Sequence, residues 1–208
     1  MLLASRSERR RQLLREHEVE HLAEHPGVED STLIPGGVDA EWWVVSLAYL
    51  KARAGLDLFQ PVSKHGDVIV GADTACVRDG RMLGTPRDAA EATEIIRTLA
   101  KGRHDVVTGV ALIDVGTGER SLFFDRASVW IGELSESQVG EYVASGRWQG
   151  KAGAYNLLER IDAGWPIEYS GESSTITGLP IKMLIKKLEQ IAGNRAARLD
   201  GVPGGVPA

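Results

Sequence analysis

Runs of hydrophobic residues bounded by glycine, proline and charged residues predict several short strands and two long ones. Short apolar runs between turn residues are typical of buried strands. The predicted strands are residues 2–4, 19–23, 68–70, 75–77 and 82–83, and two long strands between Asp105 and Ile131 that turn at 116–118. The dipeptide Asp79-Gly80 predicts a hairpin between the fourth and fifth of them.

Between these strands, apolar residues recur at the spacing of an α-helix. Helices are predicted after Ser5 or Ser7, from Asp39 to about Ala54 with Gly55 as its stop, from Asp88 to Gly102, from Ser135 to about Ala144, and after Gly178-Leu179-Pro180. The apolar face predicted for the second helix consists of Trp43, Leu47, Leu50 and Ala54. Residues 146–174 have many glycines and no clear period, which predicts a long loop of the kind that is usually functional.

The composition is that of an ordinary globular protein, with 43% hydrophobic and 25% charged residues among 208. The length suits one domain, which we place at residues 1–192, followed by a disordered Gly/Pro-rich tail at 193–208. The net charge of −5 argues against a nucleic acid polymer as partner, because domains that bind one are usually basic. A small anionic ligand remains compatible with local basic clusters.

Neither the N-terminus nor any other stretch has the long apolar run of a signal peptide or a membrane span, so we expect a cytoplasmic protein. The single cysteine, Cys76, has no partner for an internal disulfide, and its apolar surroundings favour a core residue over a nucleophile. His17, His21 and His25 recur every four residues, a spacing that would place them on one face of a helix as possible metal ligands. Pro26 ends that run and no zinc motif accompanies it, so a solvated face is favoured.

The most informative local pattern is Gly71-Ala72-Asp73-Thr74, which presents an acid and a hydroxyl directly after a buried strand. A carboxylate at the end of a strand is held rigidly and lies near the loops where α/β proteins have their sites. Aspartate is also a common turn residue. The local sequence is therefore equally compatible with a catalytic Asp73 and with one that only caps a turn.

An arginine-rich segment, Ser5 to Arg11, joins the first predicted strand to the first helix. Free backbone N–H groups and the helix dipole favour an anion at such a junction, and hydroxyl and guanidinium groups suit a phosphate. Arginines at a helix N-terminus oppose the dipole. The pattern therefore favours an anion site over a merely solvated first turn.

Glu29, Asp30 and Asp73 are acids in predicted turns, and Mg²⁺ needs only one or two carboxylates when it also binds water and phosphate. Lys51 adjoins the apolar face of the second helix, within possible reach of a phosphate oxygen, although a surface lysine is the commoner interpretation. The chain has no Walker P-loop, GxGxxG, HExxH or GxSxG element, which excludes the commonest NTPases, dehydrogenases, zincins and α/β-hydrolases.

Six short motifs occur in one order over about residues 2–190. They are Leu3-Ala4-Ser5-Arg6-Ser7-Glu8-Arg9-Arg10, Gly71-Ala72-Asp73-Thr74, Pro86-Arg87-Asp88, His104-Asp105-Val106-Val107-Thr108-Gly109-Val110, Lys151-Ala152-Gly153-Ala154-Tyr155 and Gly178-Leu179-Pro180. In this order they resemble the LASxSPRR, GADT, KPxD, HxVxTGV, KAGAY and GLP signatures of the Maf family. Each motif is modest alone, whereas the ordered set is specific.

The resemblance implies a nucleoside triphosphate pyrophosphatase, a hydrolase that cleaves between the α- and β-phosphates and releases a nucleoside monophosphate and pyrophosphate. It also implies a divalent cation (Mg²⁺ or Mn²⁺), a preference for unusual or pyrimidine nucleotides, a link to house-cleaning and cell-division arrest, and frequent homodimers. The implied fold is α/β, with a mixed, elongated and curved sheet flanked by helices and a central cleft between two lobes.

Residue roles follow from the same resemblance. Asp73 and Lys51 would be catalytic, with Asp73 accepting the proton of the attacking water, and Asp30 would hold the metal ion together with Asp73. The residues that would bind the substrate are Ser5, Arg9, Arg10, Thr74, Thr85, Arg87 and Lys151.

Three positions depart from the signatures. Thr85 replaces the lysine before the proline of KPxD, and Arg87, two residues on, is the candidate to compensate for it. Leu158 stands at the glutamine of the GIQG that usually follows KAGAY, and Glu8 stands where proline is usual. These departures affect the expected base specificity and, to a lesser extent, catalysis.

Two other functions remain open at the level of sequence. One is a nucleotide-binding regulator that has lost catalysis, which the changes at Thr85 and Leu158 favour. The other is a protein-interaction factor of cell division that needs no nucleotide, for which the adjacent Trp42 and Trp43 offer a contact surface.

Overall fold

The computed structural model describes residues 1–30, 33–58 and 68–200. Its strands are β1 (Leu2–Ala4), β2 (Leu22–Glu24), β3 (Val68–Arg78), β4 (Arg81–Leu83), β5 (Gly102–Asp114), β6 (Arg120–Ile131) and β7 (Ile167–Ser170). Its helices are α1 (Glu8–Glu16), α2 (Ala40–Leu58), α3 (Ala89–Leu99), α4 (Glu136–Ala144), α5 (Leu157–Asp162), α6 (Ser173–Thr177) and α7 (Ile181–Asp200), with a 3₁₀ turn at Ala152–Ala154.

The strands of these residues form a seven-stranded sheet in the order β2-β1-β3-β5-β6-β7, with β4 paired to β3. β1 runs parallel to β2 and β3, and the other pairs are antiparallel. The predicted α/β fold, a mixed sheet flanked by helices, is confirmed. None of the described helices has the length and apolar character needed to cross a lipid bilayer.

Helix α2 packs on β3 and β5 through small side chains. The predicted apolar face was wrong in part: Leu50 is 44% exposed, while Val44, Ala48 and Ala52 are fully buried. A Cβ at Gly71 would collide with the carbonyl of Ala48, so the helix backbone lies almost directly on the strand. Only small or β-branched residues fit at such a contact, which explains why the buried face is displaced from the bulkier predicted one.

Two predicted helix ends were also wrong. Gly55 does not stop α2 but is buried within it, where a Cβ would lie 2.9 Å from both Ala4 Cβ and Ile69 Cγ2. Gly102 does not end α3, which finishes at Leu99, but opens β5 where a side chain would collide with the Arg78 guanidinium. Packing against β1 and β3 requires the glycine at position 55, whereas at Gly102 the close neighbour is the flexible end of Arg78, and neither glycine forms a turn.

Other boundaries differ in detail. The strand predicted at 19–23 lies at Leu22–Glu24, and the long loop predicted at 146–174 contains α5, β7 and the start of α6. Residues 193–200, predicted to be disordered, continue α7, while 201–208 of that tail lie outside the described residues. The predicted caps of α3 and α4 are confirmed, because Asp88 accepts from the Glu91 amide and Ser135 forms a capping box with Gln138.

Candidate active site

Asp73 lies in the middle of β3, directly opposite Gly109 of β5, and not at the end of a strand as the sequence predicts. Gly71 interrupts the apolar run without ending the strand, because it is needed for the contact with α2. Since side chains alternate along a strand, Gly71 and Asp73 face α2, whereas Ala72 and Thr74 face the opposite side of the sheet. The interpretation of Asp73 as a mere turn cap does not fit this position.

Lys51 of α2 joins Asp73 to Asp30. Its Nζ lies 2.5 Å from Asp73 Oδ1 and 2.6 Å from Asp30 Oδ2. The side chains of Lys51 and Asp73 are each only 16% exposed. Burial raises the pKa of Asp73 above its ordinary value, and the positive charges of Lys51 and Arg10 oppose that rise. The two acids and the lysine therefore form one partly buried ionic cluster, and Lys51 is not the ordinary surface lysine of the commoner interpretation.

Arg10, on the other side of the sheet, is enclosed by backbone and hydroxyl acceptors. Its guanidinium donates to the carbonyls of Gly178 (2.7 Å) and Ala72 (2.8 Å) and to the hydroxyls of Thr74 (3.1 Å) and Ser5 (3.3 Å). Burial lowers the pKa of Arg10 to about 10, and the charge of Asp73 counteracts this effect. Arg10 thus links the end of β1, the centre of β3 and the turn before α7.

The hydroxyl proton of Ser5 remains available to a ligand, whereas that of Thr74 does not. Ser5 Oγ accepts from the Ser7 amide at 3.2 Å and from Arg10, so its own O–H proton is available to a ligand. Thr108 donates to the Thr175 carbonyl at 2.8 Å, so the 2.9 Å contact between the Thr74 and Thr108 hydroxyls must be donated by Thr74. The hydroxyl proton of Thr74 is therefore already used.

A second cationic group lies where α1 meets the 146–162 segment. Arg9 Nη2 donates to the Gly150 carbonyl at 3.3 Å, and Lys151 Nζ pairs with Glu159 Oε2 at 2.6 Å. Burial lowers the pKa of both Arg9 and Lys151, and the Glu159 carboxylate opposes the shift in each case. Asn156 fixes Glu159 in place by accepting from its amide at the start of α5. Glu159 thus supplies a negative charge close to two predicted substrate ligands.

The two remaining predicted ligands lie on the turn after β4. Thr85 is exposed, and Arg87 is directed to Glu91 on the next helix, with Nε 2.9 Å from Glu91 Oε2 and the Arg87 side chain 85% exposed. The turn does contact the Lys151 segment, because the Gly84 carbonyl accepts from the Gly153 amide at 3.0 Å. Arg87 therefore pairs with Glu91 and forms no hydrogen bond or ion pair with the other candidate residues in the described part of the chain.

The geometry connects most, but not all, of the predicted residues. Asp30, Lys51 and Asp73 form the ionic cluster, and Ser5, Arg10 and Thr74 form the adjacent hydrogen-bonded group. Sequence reasoning missed the partners that hold these groups. They are Thr108, Glu159, Asn156 and Gly178. Thr108 and Gly178 lie within recognised motifs, which was the available signal, whereas Glu159 and Asn156 lie at departures from one.

A divalent metal fits the acidic part of the site. No group of three or more His, Cys, Asp or Glu side chains suited to a metal occurs within the described part of the chain. Mg²⁺, however, keeps several waters and is commonly held by one or two carboxylates together with substrate phosphates. Asp30 and Asp73, whose oxygens already converge on a single ammonium group, are the residues that would hold it.

Taken with the mixed sheet, the acids and the largely part-buried cations define an α/β protein with a site suited to a phosphorylated ligand. The chain belongs to the Maf-like protein family, which matches residues 1–191, as the sequence predicts. A dTTP/UTP pyrophosphatase of Pelotomaculum thermopropionicum is 33% identical over 194 residues, covering 93% of this chain and 97% of the relative. The proteins of that name in Salinibacter ruber and Acholeplasma laidlawii are each 33% identical, covering 90% and 91% of this chain and 89% and 95% of their own lengths.

Proposed function

We propose that this protein hydrolyses nucleoside triphosphates between the α- and β-phosphates and releases a nucleoside monophosphate and pyrophosphate. The observation that carries the proposal is the placement of Lys51 between Asp30 and Asp73, near the part-buried donors of Arg10. The names of the relatives, all pyrophosphatases of dTTP and UTP, support the same reaction class. The cytoplasmic location, the homodimer and the link to cell division stay predictions.

In the proposed reaction, Asp73 accepts a proton from water as the water oxygen attacks the α-phosphorus. The new O–P bond replaces the bond from the α-phosphorus to the bridging oxygen, and pyrophosphate leaves with that oxygen. Burial favours the base role, because it raises the proton affinity of the Asp73 carboxylate. A divalent cation held by Asp30 and Asp73 would neutralise phosphate charge.

Other side chains would bind and orient the triphosphate. Lys51 stabilises the carboxylates of Asp30 and Asp73, and once an ion neutralises them it would donate to a phosphate oxygen. Ser5 offers its free O–H, and Arg9 and Lys151 offer positive charge from the contact between α1 and the 146–162 segment. Preorganised cations of this kind are usually the largest source of rate in phosphoryl chemistry.

The decisive experiment measures pyrophosphate release from a panel of natural and modified nucleoside triphosphates with Mg²⁺ or Mn²⁺. We expect turnover, with dTTP and UTP among the better substrates. Asp73→Asn should reduce kcat by about 10³-fold, the range of a lost general base, without changing the thermal unfolding temperature greatly. Asp79→Asn is the matched control, because Asp79 is an exposed turn residue on the same hairpin. Absence of turnover with every nucleotide would refute the proposal.

A catalytically silent nucleotide-binding regulator is the second candidate. It is favoured by the exposed Thr85 in place of a lysine and by the pairing of Arg87 with Glu91, which leaves no compensating cation directed from that turn. It predicts nucleotide binding by calorimetry with no pyrophosphate formed. The Thr85→Lys variant would then gain affinity for the triphosphate, whereas an unchanged affinity would show that this turn does not contact the phosphates.

A further inference from the structure

We propose that Arg10 is a positioning residue of the catalytic site, which holds the strand segment around Asp73 and does not itself bind the substrate phosphates. The proposal rests on the pyrophosphatase function proposed above, whose site it explains. It assigns to Arg10 a role different from the phosphate contact that the family resemblance implies.

The inference rests on how many N–H groups of Arg10 already donate within the protein. A guanidinium has five N–H groups in a planar fork. Nε donates to Gly178, Nη1 donates to both Ala72 and Ser5, and Nη2 donates to Thr74. One N–H, on Nη2, is therefore left over. The paired donors that make arginine a good bidentate phosphate ligand are not available unless internal bonds break.

The acceptors of Arg10 lie on both sides of Asp73. Ala72 and Thr74 are its direct neighbours in the chain, and both are bonded to the same guanidinium at 2.8 Å and 3.1 Å. Because their side chains face away from α2, Arg10 holds the strand from the face opposite to that on which Lys51 pairs with Asp73. The carboxylate is thereby fixed between two cations that approach from different faces of the sheet.

Arg10 also sets the direction of a chain of hydrogen bonds. It donates to Thr74, Thr74 donates to Thr108, and Thr108 donates to the Thr175 carbonyl. By donating to Ser5 as well, it occupies an acceptor site of that hydroxyl and leaves the O–H proton directed elsewhere. A lysine has three N–H donors around one nitrogen and does not reproduce this planar arrangement.

Gly178 covers one side of Arg10, which as a whole is part-buried. It adopts φ 112°, in the left-handed region, and a Cβ there would lie 3.4 Å from both Arg10 Nε and Thr74 Oγ1. The turn before α7 therefore closes directly over the guanidinium, which leaves a phosphate no approach from that side.

The kinetic test compares Arg10→Lys with Arg15→Lys. Arg15 is an exposed arginine of the same helix that pairs with Glu8, and its variant should leave kcat and KM unchanged. For Arg10→Lys we expect kcat to fall at least tenfold while KM for the triphosphate stays within about twofold, because only the transition-state geometry is impaired. A rise in KM with kcat unchanged would identify Arg10 as a phosphate ligand and overturn the proposal, as would no change in either constant.

A second measurement separates this proposal from the pyrophosphatase function. If the unmodified protein turns over no nucleotide, the proposed function fails, and amide hydrogen exchange still tests Arg10. Faster exchange at residues 71–75 and 177–179 in Arg10→Lys than in Arg15→Lys would support positioning. Equal exchange in the two variants would overturn it.

Discussion

At the scale of single residues, His104 shows how strongly the core constrains ionisation. It is 2% exposed, its Nε2 lies 2.8 Å from the Tyr155 hydroxyl, and its Nδ1 has no hydrogen-bond partner among the described residues. Burial lowers the pKa of His104 from its ordinary 6.5 to about 4, with the charge of Arg78 adding to the effect. The imidazole is therefore neutral in the folded protein at pH 7.

This depressed pKa predicts an acid-sensitive fold. Between pH 6.5 and about 4, the unfolded chain binds a proton at His104 that the folded protein does not bind. The free energy of unfolding should therefore fall by up to about 1.4 kcal/mol per pH unit in this window, with the full contribution present above pH 6.5. Urea unfolding at pH 7 and pH 5 measures the difference.

The control for this prediction is a second histidine. His104→Asn should flatten the pH dependence relative to the unmodified protein, whereas the same change at the exposed His25 should leave it as it was. An equal pH dependence in His104→Asn and in the unmodified protein would show that other groups cause the acid sensitivity.

How far residue roles were predictable depended on where each partner lies in the chain. Asp73, Lys51 and Asp30 were recognised as candidates from motifs and from the single cation beside an apolar helix face, and the structure brings them together. Arg87 was proposed to replace a missing lysine, but a partner one helical turn away, Glu91, binds it first. The partners of Arg10 lie up to 168 residues apart in sequence, and no local pattern indicates such contacts.

At the scale of elements, α2 can lie close to the sheet because glycines occupy the strand positions beneath it. A Cβ at Gly71 would lie 2.6 Å from the Ala52 amide nitrogen, and one at Gly109 would lie 2.5 Å from the Val45 amide nitrogen. These are backbone atoms in the middle of a helix, and they have no rotamer by which to move away. The position of Lys51 over Asp73 thus depends on two glycines that carry no chemistry themselves.

We therefore expect Gly71→Ala to be strongly destabilising. The added methyl group forces α2 away from β3, and the free energy of unfolding should fall by about 3 kcal/mol, the upper part of the range for overpacked cores. Gly140→Ala is the matched control, because Gly140 is exposed in α4 with nothing within 4 Å of a new Cβ. That change should raise stability by about 0.5–1 kcal/mol, since alanine favours a helix over glycine.

Denaturant unfolding monitored by circular dichroism compares the two variants. If Gly71→Ala were as stable as the unmodified protein, α2 would not lie directly on the strand. A large loss in Gly140→Ala would instead mean that α4 is not helical at this residue.

The same contact explains which elements the sequence predicted poorly. The two long strands, the β3–β4 hairpin and the caps of α3 and α4 follow from local patterns and were predicted well. Glycine usually indicates a turn, so Gly71, Gly55 and Gly102 were taken as ends of elements. In the structure each glycine instead leaves room for a group that is distant in sequence. Gly71 lies against α2, Gly55 against β1 and Gly102 against the Arg78 side chain.

At the scale of the whole molecule, β3 contributes buried residues to four clusters of the core, one of which joins Ala75 to Val44 of α2. Val68 and Val70 pack with α1 and α7, Ile69 packs with α2, and Cys76 packs in the cluster that includes α3 and α4. Cys76 was predicted to be a core residue, and it is 2% exposed. Its thiol lies beneath Gly153, where an added Cβ would collide with the sulfur. Cys76 therefore reports on packing near the C-terminal end of β3. Residues nearer the start of the same strand, such as Ile69, pack against α2.

This arrangement predicts the behaviour of Cys76 toward a thiol reagent such as Ellman's reagent. Burial raises the pKa of the Cys76 thiol to about 12, so labelling of the folded protein at pH 8 should be far slower than labelling in urea. Because a single strand crosses all parts of the core, exposure of Cys76 should require unfolding of the whole molecule. Gly71→Ala, although it acts on the α2 contact, should then accelerate labelling by about tenfold for each 1.4 kcal/mol of lost stability.

The alternative is a local opening near Gly153 that exposes the sulfur while α2 stays in place. In that case Gly71→Ala would leave the labelling rate unchanged, and the part of the molecule around Cys76 would open independently of the Lys51–Asp73 pair. A triphosphate that binds the folded state should also slow labelling if opening is global, because it lowers the population of the unfolded state. If Gly71→Ala and a bound triphosphate both change the labelling rate in proportion to stability, the core and the candidate active site unfold as one cooperative unit.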